Sequence, residues 1–201
     1  VIVPEGPYVI HDGYTIDDSD GNNNGLVDYN EMVYINQTLT NVGVEVAYYV
    51  NTVFSIATPG VTVNDNNEFF TDITVMETST IEWAYSITIP DGIADQTNLA
   101  ASLIITDNNS NEWTAEYTIP VNAPAMQLSF VEVDDSDSGN NNGTLDAGET
   151  LNIVVEVLNN GHATSEAGAV TISSTNEYVT INTSSVNIYA QNINTPATIS
   201  F

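Results

Sequence analysis

Polar and apolar residues alternate in short runs along this chain, and turn residues interrupt the runs about every ten positions. Met32 to Thr40 reads MVYINQTLT, with Val33, Ile35 and Leu39 on one face and Asn36 and Thr38 between them. A period of two is the signature of a half-buried strand. Tyr8 to Ile16, interrupted at Asp12-Gly13, predicts a short strand. Val44 to Ala57 predicts a long one, carrying Tyr48, Tyr49, Val50, Val53, Phe54 and Ile56. Pro59-Gly60 ends it, and Val61 to Val63 and Phe69 to Met76 follow around Asp65-Asn66-Asn67. Thr80 to Ile89 alternates through Ile81, Trp83, Tyr85 and Ile87, and Leu99 to Thr106 with Glu112 to Ile119 predicts a hairpin around DNNSN. No stretch sustains a helical period. Enrichment in Val, Ile, Thr and Tyr between regular turns predicts an all-β chain of immunoglobulin-like β-sandwiches.

The pattern then repeats. After Pro120 to Pro124, Met126 to Val133 restates the first strand, and Thr150 to Leu158 restates Met32 to Thr40, with Leu151, Ile153 and Val157 falling on Val33, Ile35 and Leu39. Asn159-Asn160-Gly161 falls on Asn41-Val42-Gly43, an offset of 118 residues. An internal period of that length suits one sandwich per repeat. The expected domains are 1–123 and 124–201. The second copy reaches Phe201 without counterparts of Leu99 to Ile119, so an incomplete sandwich with an exposed edge is expected. Residues beyond Phe201, or strands donated head-to-tail by another copy, would complete it. The apolar N-terminal segment VIVPEGPYVI is a candidate donor. Val1 in place of an initiator Met, with no visible signal peptide, makes a mature or excised piece of a longer protein the expectation.

Between the first two strands of each copy lies a polar loop. Asp20 to Glu31 reads DGNNNGLVDYNE, with side-chain oxygens at positions 1 (Asp20), 3 (Asn22), 5 (Asn24), 9 (Asp28) and 12 (Glu31), and glycine at position 6 (Gly25). This is the spacing of an EF-hand calcium loop, in which the backbone carbonyl of position 7, here Leu26, is a further ligand. Calcium is a hard cation that takes six to eight oxygens, which alternate side chains of a wrapping loop supply. The second loop, Ser136 to Glu149, matches at Asn140, Asn142, Gly143, Thr144, Asp146 and Glu149 but carries one extra residue upstream. Strict spacing places Ser138 at position 1, so Asp137, or Asp135 behind it, must reach in. An Asn/Gly-rich surface turn is the plainer alternative; the double occurrence of the whole pattern favours calcium.

Composition sharpens this picture. The 201 residues include no Lys and no Arg against 27 acidic residues, for a formal charge of −27. No side chain neutralises phosphate, which excludes nucleic acid as an electrostatic partner and disfavours anionic membrane surfaces. No apolar run is long enough to span a bilayer. Hydrophobic content of 42% separates the chain from disordered acidic tails. Cysteine is absent, so no disulfide staples the fold, and calcium is the staple an extracellular setting supplies.

The unit made of a strand, a D-rich loop ending NNNGxLDxGE, and TLNIVVEVLNNG resembles tandem extracellular immunoglobulin-like adhesion modules. Such modules occur in large secreted proteins of Bacteroidetes-like bacteria and appended to gingipain-like proteases. The resemblance is strongest at 134–161; Tyr29-Asn30 departs from it while leaving Glu31 in place. It implies a secreted or cell-surface, calcium-rigidified spacer or adhesive repeat, and specifies no ligand.

An enzyme is not expected. The only histidines are His11 and His162, and neither a G-x-S-x-G elbow nor an H-E-x-x-H motif occurs. The competing reading is a carbohydrate-binding or accessory module of a larger secreted enzyme. Calcium-bearing sandwiches stack sugars on exposed aromatics, and Tyr48, Tyr49, Tyr178, Tyr189 and Trp113 are the candidates for surface glycans; core packing is the plainer role for each.

Overall fold

Thirteen strands and no helix make up the described residues, 5–201, of the computed structural model. The chain is all-β. Its contacts divide it into two units, Val1–Asn122 and Ala123–Phe201.

The first unit is a sandwich of two antiparallel four-stranded sheets. One has the order β1 (Val9–Asp17), β2 (Met32–Asn41), β6 (Thr78–Thr88), β4 (Thr62–Asp65); the other has β5 (Asn67–Ile73), β3 (Ala47–Ile56), β7 (Thr97–Thr106), β8 (Glu112–Val121). The consecutive strands β4 and β5 belong to opposite sheets. Val33, Ile35 and Leu39 of β2 are fully buried, as their alternation predicts, and meet Phe54, Leu103, Ile105 and Ile119 from the other sheet in one core. Across the core the Phe54 and Tyr85 rings stack at 4.7 Å, and the Tyr85 hydroxyl is 2.6 Å from Thr52 Oγ1. Burying a phenol among apolar residues is tolerable because that hydroxyl is partnered.

Alternation fails at two places, and the first corrects the sequence reading. Trp83, expected on the inner face of β6, is 60% exposed. The β2–β6 register shifts between Ile35 and Gln37, and Trp83 adopts φ 56° there. Its amide donates to Asn36 Oδ1 at 2.7 Å and its indole N–H to Asp17 Oδ2 at 2.8 Å. Glu82 to Ala84 stand opposite Asn36 alone, so the alternation is lost at Trp83 while Ile81 and Tyr85 on either side keep to the core. Likewise Tyr49, at φ 54°, sits where the β3–β5 pairing slips, which leaves both Tyr48 and Tyr49 outside. The expected break at Asp12-Gly13 is a bulge within a continuous β1.

The second unit contains a three-stranded sheet, β13 (Ala197–Ser200), β10 (Asn152–Asn159), β9 (Met126–Asp134), and a hairpin of β11 (Gly168–Thr171) with β12 (Ser185–Ile188). Val155, Val157 and Ile199 form its small buried cluster. The β9–β10 pair reproduces β1–β2 down to the bulge, which falls between Leu128 and Phe130 here and between His11 and Gly13 there. In the first unit Tyr117 of β8 stacks on His11 at 4.2 Å and on Tyr14 at 5.2 Å. The register counterparts, Leu128 and Val131, are 57% and 52% exposed. Of the N-terminal segment considered as a strand donor, residues 1–4 lie outside the described residues. Val9 and Ile10 are already committed to β1, opposite Asn41 and Thr40.

Candidate metal centres

Each candidate loop leaves the bulged first strand and returns in the second. In the first loop the Asn22 and Asn24 amides donate to Asp28 Oδ2 at 2.6 and 2.7 Å. The Asp28 amide donates to Glu31 Oε1 at 2.7 Å, and the Leu26 amide to Asn24 Oδ1 at 2.8 Å. Gly25 takes φ 79°, in the left-handed region where a Cβ is strained. Asn22, Asn24, Asp28 and Glu31 are thus brought together. Asp20 is not drawn into this network; its Oδ2 accepts from the Tyr34 hydroxyl at 3.2 Å. Leu26 is exposed.

The upstream wall of the loop is Asp18, a buried carboxylate that the ligand spacing passed over. Its oxygens accept from the Asn24 amide at 2.7 Å and the Gly25 amide at 3.0 Å.

The second loop repeats the centre of this network. Asn140 and Asn142 donate to Asp146 Oδ2, both at 2.9 Å, and the Asp146 amide donates to Glu149 Oε2 at 3.1 Å. The Thr144 amide donates to Asn142 Oδ1 at 2.7 Å. Buried Asp135 takes the place of Asp18, accepting from the Asn142 and Gly143 amides at 2.9 and 3.2 Å. Asp137, the closer of the two candidates for the upstream position, is exposed. The signal for Asp18 and Asp135 lies in the paired acids ending each first strand, Asp17-Asp18 and Asp134-Asp135. They precede the one-residue insertion and keep the strand's register rather than the loop's.

The loops carry charge that nothing on the chain offsets. With no Lys or Arg, no carboxylate has a basic side chain of that kind to pair with, and the loop carboxylates accept from backbone and side-chain amides and from the Tyr34 hydroxyl. Burial, reinforced by the charges of Asp28 and Asp18 and only partly offset by amide hydrogen bonds, raises the Glu31 pKa to about 7. Asp28 is 4% exposed, and its Oδ1 is a buried oxygen without a hydrogen-bond partner. An orphaned carboxylate oxygen is costly unless a donor or cation meets it. Among the described residues, no three His, Cys, Asp or Glu side chains converge into a metal-binding group by themselves. The donor set is carboxylates interleaved with carboxamides, all oxygen-bearing, which suits calcium rather than a transition metal.

The remaining candidates divide. Tyr178 and Tyr189 are fully displayed to solvent, and Tyr49 stacks on Phe69 at 6.1 Å at the surface. Trp113 is half-buried against the core with Tyr8 edge-on at 6.4 Å. His11 is half-buried, its Nδ1 2.7 Å from Gln37 Nε2, and desolvation lowers its pKa against the opposing pull of Asp12. No helix among the described residues is long and apolar enough to cross a membrane.

No family model matches the chain, and no curated protein matches it. Among solved structures it is similar to the secreted serine protease VesC from Vibrio cholerae, with a TM-score of 0.32 and 16% identity, covering 98% of this chain and 41% of that one. It is also similar to BcpA, the major pilin subunit of Bacillus cereus, with a TM-score of 0.28 and 12% identity, covering 97% and 66%. The chain therefore spans less than two thirds of either structure's length.

Proposed function

We propose that this chain is a non-catalytic, extracellular structural or adhesive repeat whose two loops bind calcium. The observation that carries the reading is the buried, unpartnered Oδ1 of Asp28, at the ninth position of a loop whose hydrogen-bond network recurs 118 residues later. Asn22, Asn24, Asp28 and Glu31 would hold the ion in the first loop, with Asp20 and the Leu26 carbonyl closing the shell. Asn140, Asn142, Asp146 and Glu149 would do so in the second, with Asp137 and the Thr144 carbonyl. The bound ion supplies positive charge where carboxylates cluster without bases, and so ties the end of one strand to the start of the next. Calcium is abundant outside cells, which is the setting a cysteine-free, disulfide-free fold needs for such a staple. The role is mechanical, as a stiff spacer or filament element.

Two partner classes go with this reading. The exposed Leu128 and Val131 favour association of copies through the open sheet of the second unit. The solvent-facing Tyr178 and Tyr189 favour the alternative of a glycan-binding accessory module. A crystal structure of the chain grown with calcium tests the leading reading. Ions should lie about 2.3–2.6 Å from oxygens of Asp28 and Glu31. Loops free of metal at millimolar calcium would refute it.

A further inference from the structure

The two loops share an internal network but differ in what stands behind it. In the first, Val27 and Tyr29, the neighbours of Asp28, grip the backbone of Asn122. The Asn122 amide donates to the Val27 carbonyl at 2.9 Å, and the Tyr29 amide donates to the Asn122 carbonyl at 2.9 Å, forming a parallel bridge centred on Asp28. Asn122 follows β8 directly and is the last residue of the first unit. Its side chain is held too, accepting from Gln96 Nε2 at 2.9 Å. Val27 and Asp28 are both buried at this bridge, Val27 as part of the core. In the second loop the corresponding Leu145 and Asp146 are exposed.

We infer that Asn122 is a positioning residue of the first ion site, so that calcium binding in this loop and fixing of the chain's exit from the first unit are one equilibrium. The inference rests on the calcium reading above. Its argument is reciprocity. The bridge fixes the backbone on both sides of Asp28, and with it the placement of the orphaned oxygen. An ion on that oxygen therefore favours the pinned state, and the pinned state favours the ion by the same factor. An unsupported loop must be ordered at the moment of binding and loses affinity accordingly. The first loop's occupancy sets whether the segment leading out of the first unit is fixed or frayed, which gives a calcium-dependent stiffness at the boundary.

Amide hydrogen exchange of the full chain, in calcium and in EGTA, tests this, alongside calcium titrations that separate the loops. Asp146→Asn with Glu149→Gln isolates the first loop, and Asp28→Asn with Glu31→Gln isolates the second. The inference expects calcium to slow exchange at the Asn122 and Tyr29 amides at least tenfold. It expects Asn122→Pro, which deletes the amide donated to Val27, to weaken the first loop about tenfold while sparing the second. Asn122→Ala, which keeps both backbone bonds, should leave the affinity near native. If Asn122→Pro does not fold, the exchange measurement on the native chain decides alone. Calcium binding in the first loop with no change at the Asn122 amide overturns the inference and leaves the calcium reading standing. No calcium binding in either loop overturns both.

Discussion

Asn41 and Asn159, 118 residues apart, make the same four hydrogen bonds in their two units. Asn41 Oδ1 accepts from the amides of Tyr8 (3.1 Å) and Gly43 (3.0 Å), and its Nδ2 donates to the carbonyls of Glu45 (2.8 Å) and Ile73 (2.9 Å). Asn159 accepts from Ala125 and Gly161, both at 3.0 Å, and donates to Ala163 (2.8 Å) and Gln191 (3.0 Å). Both side chains are fully buried. Each ties the strand entering a unit to the turn after its second strand, so one carboxamide closes four backbone groups. Replacing Asn41 by Ala would leave several of those groups unsatisfied, at about 1–3 kcal/mol each. The expected loss in the first unit is about 3 kcal/mol or more, and Asn159→Ala should act likewise on the second. Urea unfolding followed unit by unit checks this.

Glycine two residues on is fixed by the same turn. A Cβ at Gly43 would overlap the Gly6 carbonyl oxygen and the Tyr8 amide nitrogen, and one at Gly161 would overlap the Ala123 carbonyl oxygen and the Ala125 amide nitrogen. These are backbone atoms that cannot swing aside. Gly43→Ala and Gly161→Ala should each destabilise their unit by about 1–3 kcal/mol, read as lower melting temperatures. Gly92→Ala meets open space and should not.

The bulge in β6 predicts an unequal pair. Trp83→Ala removes a mostly exposed ring and should cost under about 1 kcal/mol, whereas Ile87→Ala empties a fully buried site and should cost about 2–5 kcal/mol. Chemical denaturation of both variants settles it. A larger loss at Trp83 than at Ile87 would contradict the outward placement.

His11 gives the fold a pH dependence with a definite sign. Burial lowers its folded pKa below the ordinary 6.5, so the unfolded chain binds the proton more readily. Its contribution to stability is fully present above pH 6.5 and is lost as pH falls through the window between 6.5 and the folded value. The groups around it are Asp12, Tyr14, Tyr117 and Gln37. The stability difference between the native chain and His11→Gln should therefore shrink or reverse from pH 7.5 to pH 5. A difference that grows as pH falls would contradict this.

Much of this architecture is legible in the residues. Strict alternation in MVYINQTLT yields the buried face of β2, because a strand with one solvated side has little freedom. The repeated Asn-x-Gly marks the matching hydrogen-bond networks of Asn41 and Asn159. Trp83 and Tyr49 are not legible, because bulges are set by partners far along the chain, such as Asn36 receiving the Trp83 amide. Nor is the crossing of β4 and β5 to opposite sheets, since four-residue and seven-residue strands carry too little pattern to choose a neighbour. Asp18 and Asp135 escape ligand spacing because they wall the loop from the strand side. Asn122 escapes because it acts through its backbone, which no side-chain pattern records.

The most direct test of the account is a calorimetric titration of calcium into the chelator-stripped 201-residue chain, with Glu31→Gln and Glu149→Gln as site controls. The account predicts two ions bound per native chain and one per variant. It also predicts a melting temperature that rises on loading, by a stabilisation of about 4 kcal/mol per site at a thousandfold excess over Kd. A native chain that takes up no calcium, and melts at the same temperature in calcium and in EGTA, would contradict it.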